Sequence, residues 1–136
     1  MSQTWILVVE DEGIVATDIQ ERLNRLGYAA TFALNGPDAL RKIAERVPDL
    51  VLMDILLSGS LDGVETALEI RKRFNGPIVF LTAYTDDAVM TRAAVAKPFG
   101  FVVKPFDEIA LHAIIQRALS PHPTEAIESD DAGRES

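Results

Sequence analysis

Short, unbroken apolar runs alternate with stretches of helical spacing along the chain. The first run, Thr4 to Val9, stops at Glu10-Asp11-Glu12. Apolar positions then recur at Val15, Ile19, Leu23 and Leu26, the spacing of an amphipathic helix, with Gly27 placed to end it. Ala29 to Ala33 predicts a second strand. Asn35-Gly36-Pro37-Asp38 then supplies a cap and a first-turn proline for a helix carrying Leu40, Ile43, Ala44 and Val47. Pro48 separates that helix from Leu50-Val51-Leu52-Met53, whose lack of alternation predicts a strand covered on both faces. This run stops abruptly at Asp54.

After the turn-rich loop Ile55 to Leu61, Asp62-Gly63 opens a third helix expected to reach Phe74, where Asn75-Gly76-Pro77 breaks it. Ile78 to Leu81 predicts a fourth strand, ending at Thr82. Thr85-Asp86-Asp87 reads as the capped start of a fourth helix, alanine-rich with Val89, Met90 and Val95 for bulk. Gly100 to Val103 predicts the fifth strand, followed by Lys104-Pro105-Phe106 and a helix capped by Asp107. Leu111, Ile114, Ile115, Ala118 and Leu119 give that helix the clearest amphipathic pattern in the chain.

Five strand–helix units in strict alternation predict an α/β fold, an open parallel sheet with helices on both faces and right-handed crossovers. Pro121 and Pro123 end the last helix. One domain over residues 1–120 is therefore expected, with 121–136 an acidic tail lacking apolar periodicity and expected to be disordered.

Charge narrows the function. The net charge is −8, and from His122 onward five acids face a single base, so half of it belongs to the tail. An acidic chain without a basic stripe does not suit nucleic acid. With no cysteine, disulfides and thiolate metal sites are excluded. MSQTWILVVEDE has no basic region and its apolar run is soon interrupted by acids, which speaks against a signal peptide or membrane association. The expected location is cytoplasmic.

In open parallel sheets the ligand site lies beyond the carboxyl ends of the strands. Glu10 and Asp11 follow the first strand, Asp54 the third, Thr82 the fourth and Lys104 the fifth. Three carboxylates at one edge repel unless a cation sits among them, and hard oxygen ligands favour Mg²⁺, with Mn²⁺ or Ca²⁺ as substitutes. Lys104 and the Thr82 hydroxyl add what a tetrahedral dianion needs. A phosphoryl group on one carboxylate uses every part.

VVEDE, PDLVLMDI, LTAYTD and GFVVKPF, in this order at strand ends, resemble the receiver domain of two-component response regulators over about residues 3–120. The resemblance implies a doubly wound, flavodoxin-like fold with strand order 2-1-3-4-5. It further implies Asp54 as phosphoacceptor, Glu10 and Asp11 serving Mg²⁺ together with Asp54 and the Leu56 carbonyl, and Lys104 and Thr82 as phosphate contacts. Phe101 becomes the aromatic whose rotamer follows Thr82, and Lys104-Pro105 is expected to be cis. The implied donor is a histidine kinase or histidine phosphotransfer protein, and the output a switched surface that binds a downstream protein. The chain would promote only its own Mg²⁺-dependent phosphorylation and dephosphorylation rather than act as an enzyme on external substrates. A single-domain, stand-alone regulator is expected, with the face of the fourth helix, fifth strand and fifth helix a candidate homodimer surface.

Departures from the usual pattern refine these expectations. Glu10 stands where Asp is also common, which allows metal contact through water, and Phe101 replaces the frequent tyrosine, leaving no hydroxyl to report the switch. The loop from Ser58 to Leu61 is slightly longer than the commonest form. Leu56 and Tyr84, two residues beyond Asp54 and Thr82, pair an apolar chain with a large aromatic, which offers little to orient an attacking water and predicts a long-lived phosphoryl group. Neither His112, beside the apolar stripe of the last helix, nor His122 suits a phosphorelay histidine.

Three other functions share parts of this pattern. A haloacid-dehalogenase-type phosphohydrolase needs a second aspartate after its nucleophile, and Ile55-Leu56 follows Asp54 instead. A flavodoxin-like nucleotide module cradles phosphate in its first loop, where Glu10-Asp11-Glu12 would repel it. A phosphorylation-independent docking scaffold is the remaining alternative, and the presence of all the site residues counts against it.

Overall fold

The computed structural model describes residues 3–83 and 87–120. Strands β1 (Trp5–Val9), β2 (Ala29–Ala33), β3 (Leu50–Asp54), β4 (Ile78–Thr82) and β5 (Gly100–Val103) alternate with helices α1 (Gly13–Arg25), α2 (Gly36–Glu45), α3 (Gly63–Arg71), α4 (Asp87–Ala94) and α5 (Glu108–Leu119). All strand pairs are parallel, in the order β2-β1-β3-β4-β5. This is the doubly wound sheet expected from the sequence.

Every residue of β1, β3 and β4 is buried, which is why their sequences show no alternation. Alternate side chains nevertheless enter different layers. Leu7, Val9, Val51, Met53 and Phe80 join Ala39 and Ile43 of α2, Val64 and Ile70 of α3 and Ala93 of α4. On the other face Ile6, Val8, Leu52, Leu81 and Val102 meet Ile19 and Leu23 of α1 and Leu111 and Ile115 of α5. Two apolar layers thus clamp the sheet and hold the carboxyl ends of β1, β3, β4 and β5 at one edge.

Helix starts follow the capping chemistry. Asn35 and Asp107 each accept a backbone N–H three residues on, and Asp62 and Glu65 form a reciprocal capping box. Gly27 has φ +98°, so the chain leaves α1 through a left-handed turn. Thr85 and Asp86, expected to cap α4, lie outside the described residues, as does 121–136.

Several ends differ from the sequence reading. β1 begins at Trp5 rather than Thr4, and α3 closes at Arg71, three residues before Phe74. Ala44 and Val47 are exposed; α2 instead buries Gly36, Ala39 and Ile43. Val95 lies beyond α4 and is exposed.

Candidate functional site

Asp54 ends β3 two residues beyond Leu52, on the face toward α1 and α5. Lys104 stands two residues beyond Val102 on the same face. Because β1 lies next to β3, Glu10 arrives beside them. The Lys104 ammonium donates to Glu10 Oε1 at 3.0 Å and lies 3.7 Å from Asp54 Oδ2. Glu10 is 0% exposed and Asp54 6%, so both carboxylates need that cation. The Lys104-Pro105 bond is cis, as expected.

Backbone amides complete the carboxylate shell. Leu56 N donates to Asp54 Oδ1 at 3.1 Å and Glu12 N to Glu10 Oε2 at 3.1 Å. Asp11 is less buried and reaches across to the β3–α3 loop, where the Ser58 hydroxyl and amide donate to its Oδ2 at 2.7 and 3.1 Å. Ligand oxygens of Glu10, Asp11 and Asp54 all lie within 4.8 Å of one another. Three converging hard oxygens fit a small divalent cation of the Mg²⁺ kind.

Titration follows these surroundings. Burial pushes the Glu10 carboxyl above the ordinary glutamate range, only partly offset by the Lys104 and Glu12 donors. For Lys104 burial works against the charge. The hydrogen bond to Glu10 and the charge of Asp54 outweigh it and hold the ammonium above the usual lysine range. The Ser58 hydroxyl, against opposing burial, holds Asp11 below the usual aspartate range.

Thr82 ends β4 and is 2% exposed; its carbonyl accepts from Lys104 N at 2.6 Å, tying β4 to the lysine. Phe101 of β5 is half-buried and pairs in register with Phe80, with ring centroids 5.7 Å apart and planes 23° apart. Leu56 has 53% of its surface exposed next to Asp54. Tyr84 lies outside the described residues. His112 is not at this edge; its ring meets Tyr28 edge-on at 5.8 Å.

Two contributors escaped the sequence reading. Ser58 was marked only by its longer loop, because its bond to Asp11 spans 47 positions. The sequence predicts Gly63 only as a helix opener, yet a Cβ there would lie 2.2 Å from the Asp54 carbonyl oxygen and 2.7 Å from Ile55 Cα. Only glycine lets the start of α3 sit against the end of β3. The Asp-Gly pair was the available signal, but the close approach is tertiary.

Comparison with known proteins agrees with this arrangement. Residues 6–116 match the model of the response regulator receiver domain. The chain belongs to this family, the receiver domains of two-component response regulators, which bind Mg²⁺ at an acidic pocket. Among curated relatives, the uncharacterized transcriptional regulatory protein YrkP of Bacillus subtilis is 40% identical over 108 residues, covering 79% of this chain and 46% of that protein. Transcriptional regulatory protein AfsQ1 of Streptomyces coelicolor is 32% identical over 128 residues, covering 94% and 56%. The chain thus spans about half the length of these relatives. The signal receiver domain of a modulated diguanylate cyclase from Desulfovibrio desulfuricans superposes with TM-score 0.80 at 37% identity, covering 87% of this chain and 94% of that one. No helix among the described residues is long and apolar enough to cross a membrane.

Proposed function

We propose that this chain is a phosphorylation-activated receiver, with Asp54 as phosphoacceptor. The observation that carries the reading is the buried contact set in which Asp54 shares one ammonium, Lys104, with Glu10 while Asp11 stands within metal-sharing distance. Glu10, Asp11, Asp54 and the Leu56 carbonyl would hold Mg²⁺, or Mn²⁺ or Ca²⁺ in its place. When bound, the cation supplies positive charge opposite the incoming phosphoryl oxygens.

An Asp54 carboxylate oxygen attacks the phosphorus of a phosphohistidine on a kinase or phosphotransfer protein. The O–P bond forms as the N–P bond breaks, and the departing imidazole nitrogen keeps the electron pair. Lys104 turns from Glu10 toward the phosphoryl oxygens, and the Thr82 hydroxyl donates to them. Catalysis is therefore positioning and charge complementarity. With Thr82 drawn toward the site, Phe101 turns inward and repacks the surface of α4, β5 and α5, a population shift that a downstream protein or a second copy reads. Exposed Val95, Phe99 and Val103 give that surface apolar area. The globular receiver extends to about residue 120, with the acidic tail beyond, in a cytoplasmic setting. Leu56 offers an attacking water no polar group, which favours slow loss of the phosphoryl group; loss within seconds would contradict that part.

Beryllium trifluoride, a tetrahedral mimic of an aspartyl phosphate, tests acceptor and switch together. With Mg²⁺ present, amide resonances of Thr82 and of residues 100–104 are expected to move in the wild type and stay put in Asp54→Asn. Unmoved β5 resonances in a fluoride-loaded wild type would contradict the switch.

A further inference from the structure

The Ser58–Asp11 contact joins two parts of the site that the sheet does not connect. Asp11 follows β1, whereas Ser58 lies in the loop between β3 and α3, four residues after Asp54. The hydroxyl and the amide of Ser58 both donate to one oxygen, Asp11 Oδ2. Two donors on one oxygen fix the carboxylate plane and leave Oδ1 free of Ser58. The same loop begins with Leu56 N on Asp54 Oδ1. The first half of its backbone is thereby held at two points, Leu56 and Ser58, by the carboxylates proposed to take the cation, with the Leu56 carbonyl between the two attachments.

We infer that Ser58 is a positioning residue for the divalent cation, orienting Asp11 through Oδ2 and coupling the β3–α3 loop to occupancy of the metal site. The inference rests on the metal role of Asp11 proposed above. Groups that hydrogen-bond to metal-ligating carboxylates set their orientation, and loss of such a partner typically lowers metal affinity by about 10- to 100-fold. Ser58 is exposed, and its hydroxyl contributes nothing to the apolar layers. Ser58→Ala keeps the amide donor and removes only the hydroxyl, so the lower end of that range applies. Ser58→Thr keeps a hydroxyl at the same position.

Titration calorimetry with Mg²⁺ on wild type, Ser58→Ala, Ser58→Thr and Asp11→Asn tests this, alongside thermal melting in a chelator. The expected result is a Kd about tenfold weaker in Ser58→Ala, near wild type in Ser58→Thr, no measurable binding in Asp11→Asn, and an unchanged metal-free melting temperature in Ser58→Ala. Equal Kd values for wild type and Ser58→Ala overturn the role of Ser58 while leaving the metal site standing. So does a weaker Kd that Ser58→Thr fails to restore. A wild type that binds no Mg²⁺ overturns the metal reading and the Ser58 inference together.

Discussion

Lys104 is the residue on which the site balances, because one ammonium compensates two carboxylates withdrawn from water. Replacing it by methionine leaves Glu10 buried beside Asp54 with like charge and no cation. The expected cost at neutral pH is roughly 2 kcal/mol, below the value for a fully buried pair because a quarter of the lysine side chain remains exposed. The sign of its pH dependence follows from Glu10. Its carboxyl is held above the ordinary range, so the fold binds the proton more tightly than the unfolded chain, and stability falls as pH rises from the ordinary glutamate value to the raised one. Without Lys104 that penalty grows. Urea unfolding from pH 4 to pH 8 should show the Lys104→Met deficit shrinking toward the acidic end; a deficit constant with pH would contradict this. At the alkaline end Lys104 acts in the same direction. Its stabilising contribution is complete below the usual lysine range and is lost as pH rises through its raised value.

Gly63 is the steric counterpart of Lys104. A methyl group there meets the backbone of Asp54 and Ile55, not a flexible side chain, so neither neighbour yields cheaply. Gly63→Ala should destabilise the fold by about 2 kcal/mol through overpacking. The urea midpoint checks this, and a loss below about 0.5 kcal/mol, the ordinary scatter of surface substitutions, would show that α3 simply slides.

At the scale of elements, β1, β3 and β4 with their site-bearing ends were legible because burial on both faces writes itself as uninterrupted apolar runs. Helix ends were less so. Phe74 continues the spacing of Ile70 and is buried, yet the helix has already closed at Arg71: apolar periodicity reports burial, which a loop can satisfy too. Val47 fits the α2 spacing but points to water, because Arg46 is already extended ahead of Pro48. A phosphoryl site with Lys104 and Thr82 was legible from the charges at the strand ends, whereas the choice of Asp54 as acceptor and the role of Phe101 rest on the family resemblance. Ser58 stayed hidden because no local pattern records a partner 47 residues away.

Arg71 shows what an element boundary can hold. Its guanidinium donates to the carbonyls of Ala96 and Lys97 at the base of α4, and to those of Phe74 and Gly76 in the loop entering β4. Near the other end of α3, Arg92 of α4 pairs with Asp62 at 2.8 Å. Helix α4 is thereby tethered to α3 at two points. Arg71→Ala should cost about 2 kcal/mol, in keeping with charged hydrogen bonds, and speed amide exchange at residues 93–97 more than in α2. Uniform acceleration across both helices would mean global destabilisation instead.

For the whole molecule, the sheet collects a cluster of acids and a lysine at its carboxyl edge, while Val103 of β5 and, beyond α4, Val95 and Phe99 leave apolar side chains exposed. The Phe80–Phe101 stack sits two residues before Thr82 along β4, and in the proposed switch it would carry a change at Asp54 toward the surface. An acidic chain of net charge −8 would present that surface to a protein rather than to nucleic acid. The central claim is that Asp54 itself takes the phosphoryl group with the help of a divalent cation. Intact mass after incubation with acetyl phosphate, with and without Mg²⁺, tests it on wild type and Asp54→Asn. The expected result is a gain of about 80 Da, one phosphoryl group, only in the wild type and only with Mg²⁺. No gain in the wild type, or an equal gain in Asp54→Asn, would contradict the account.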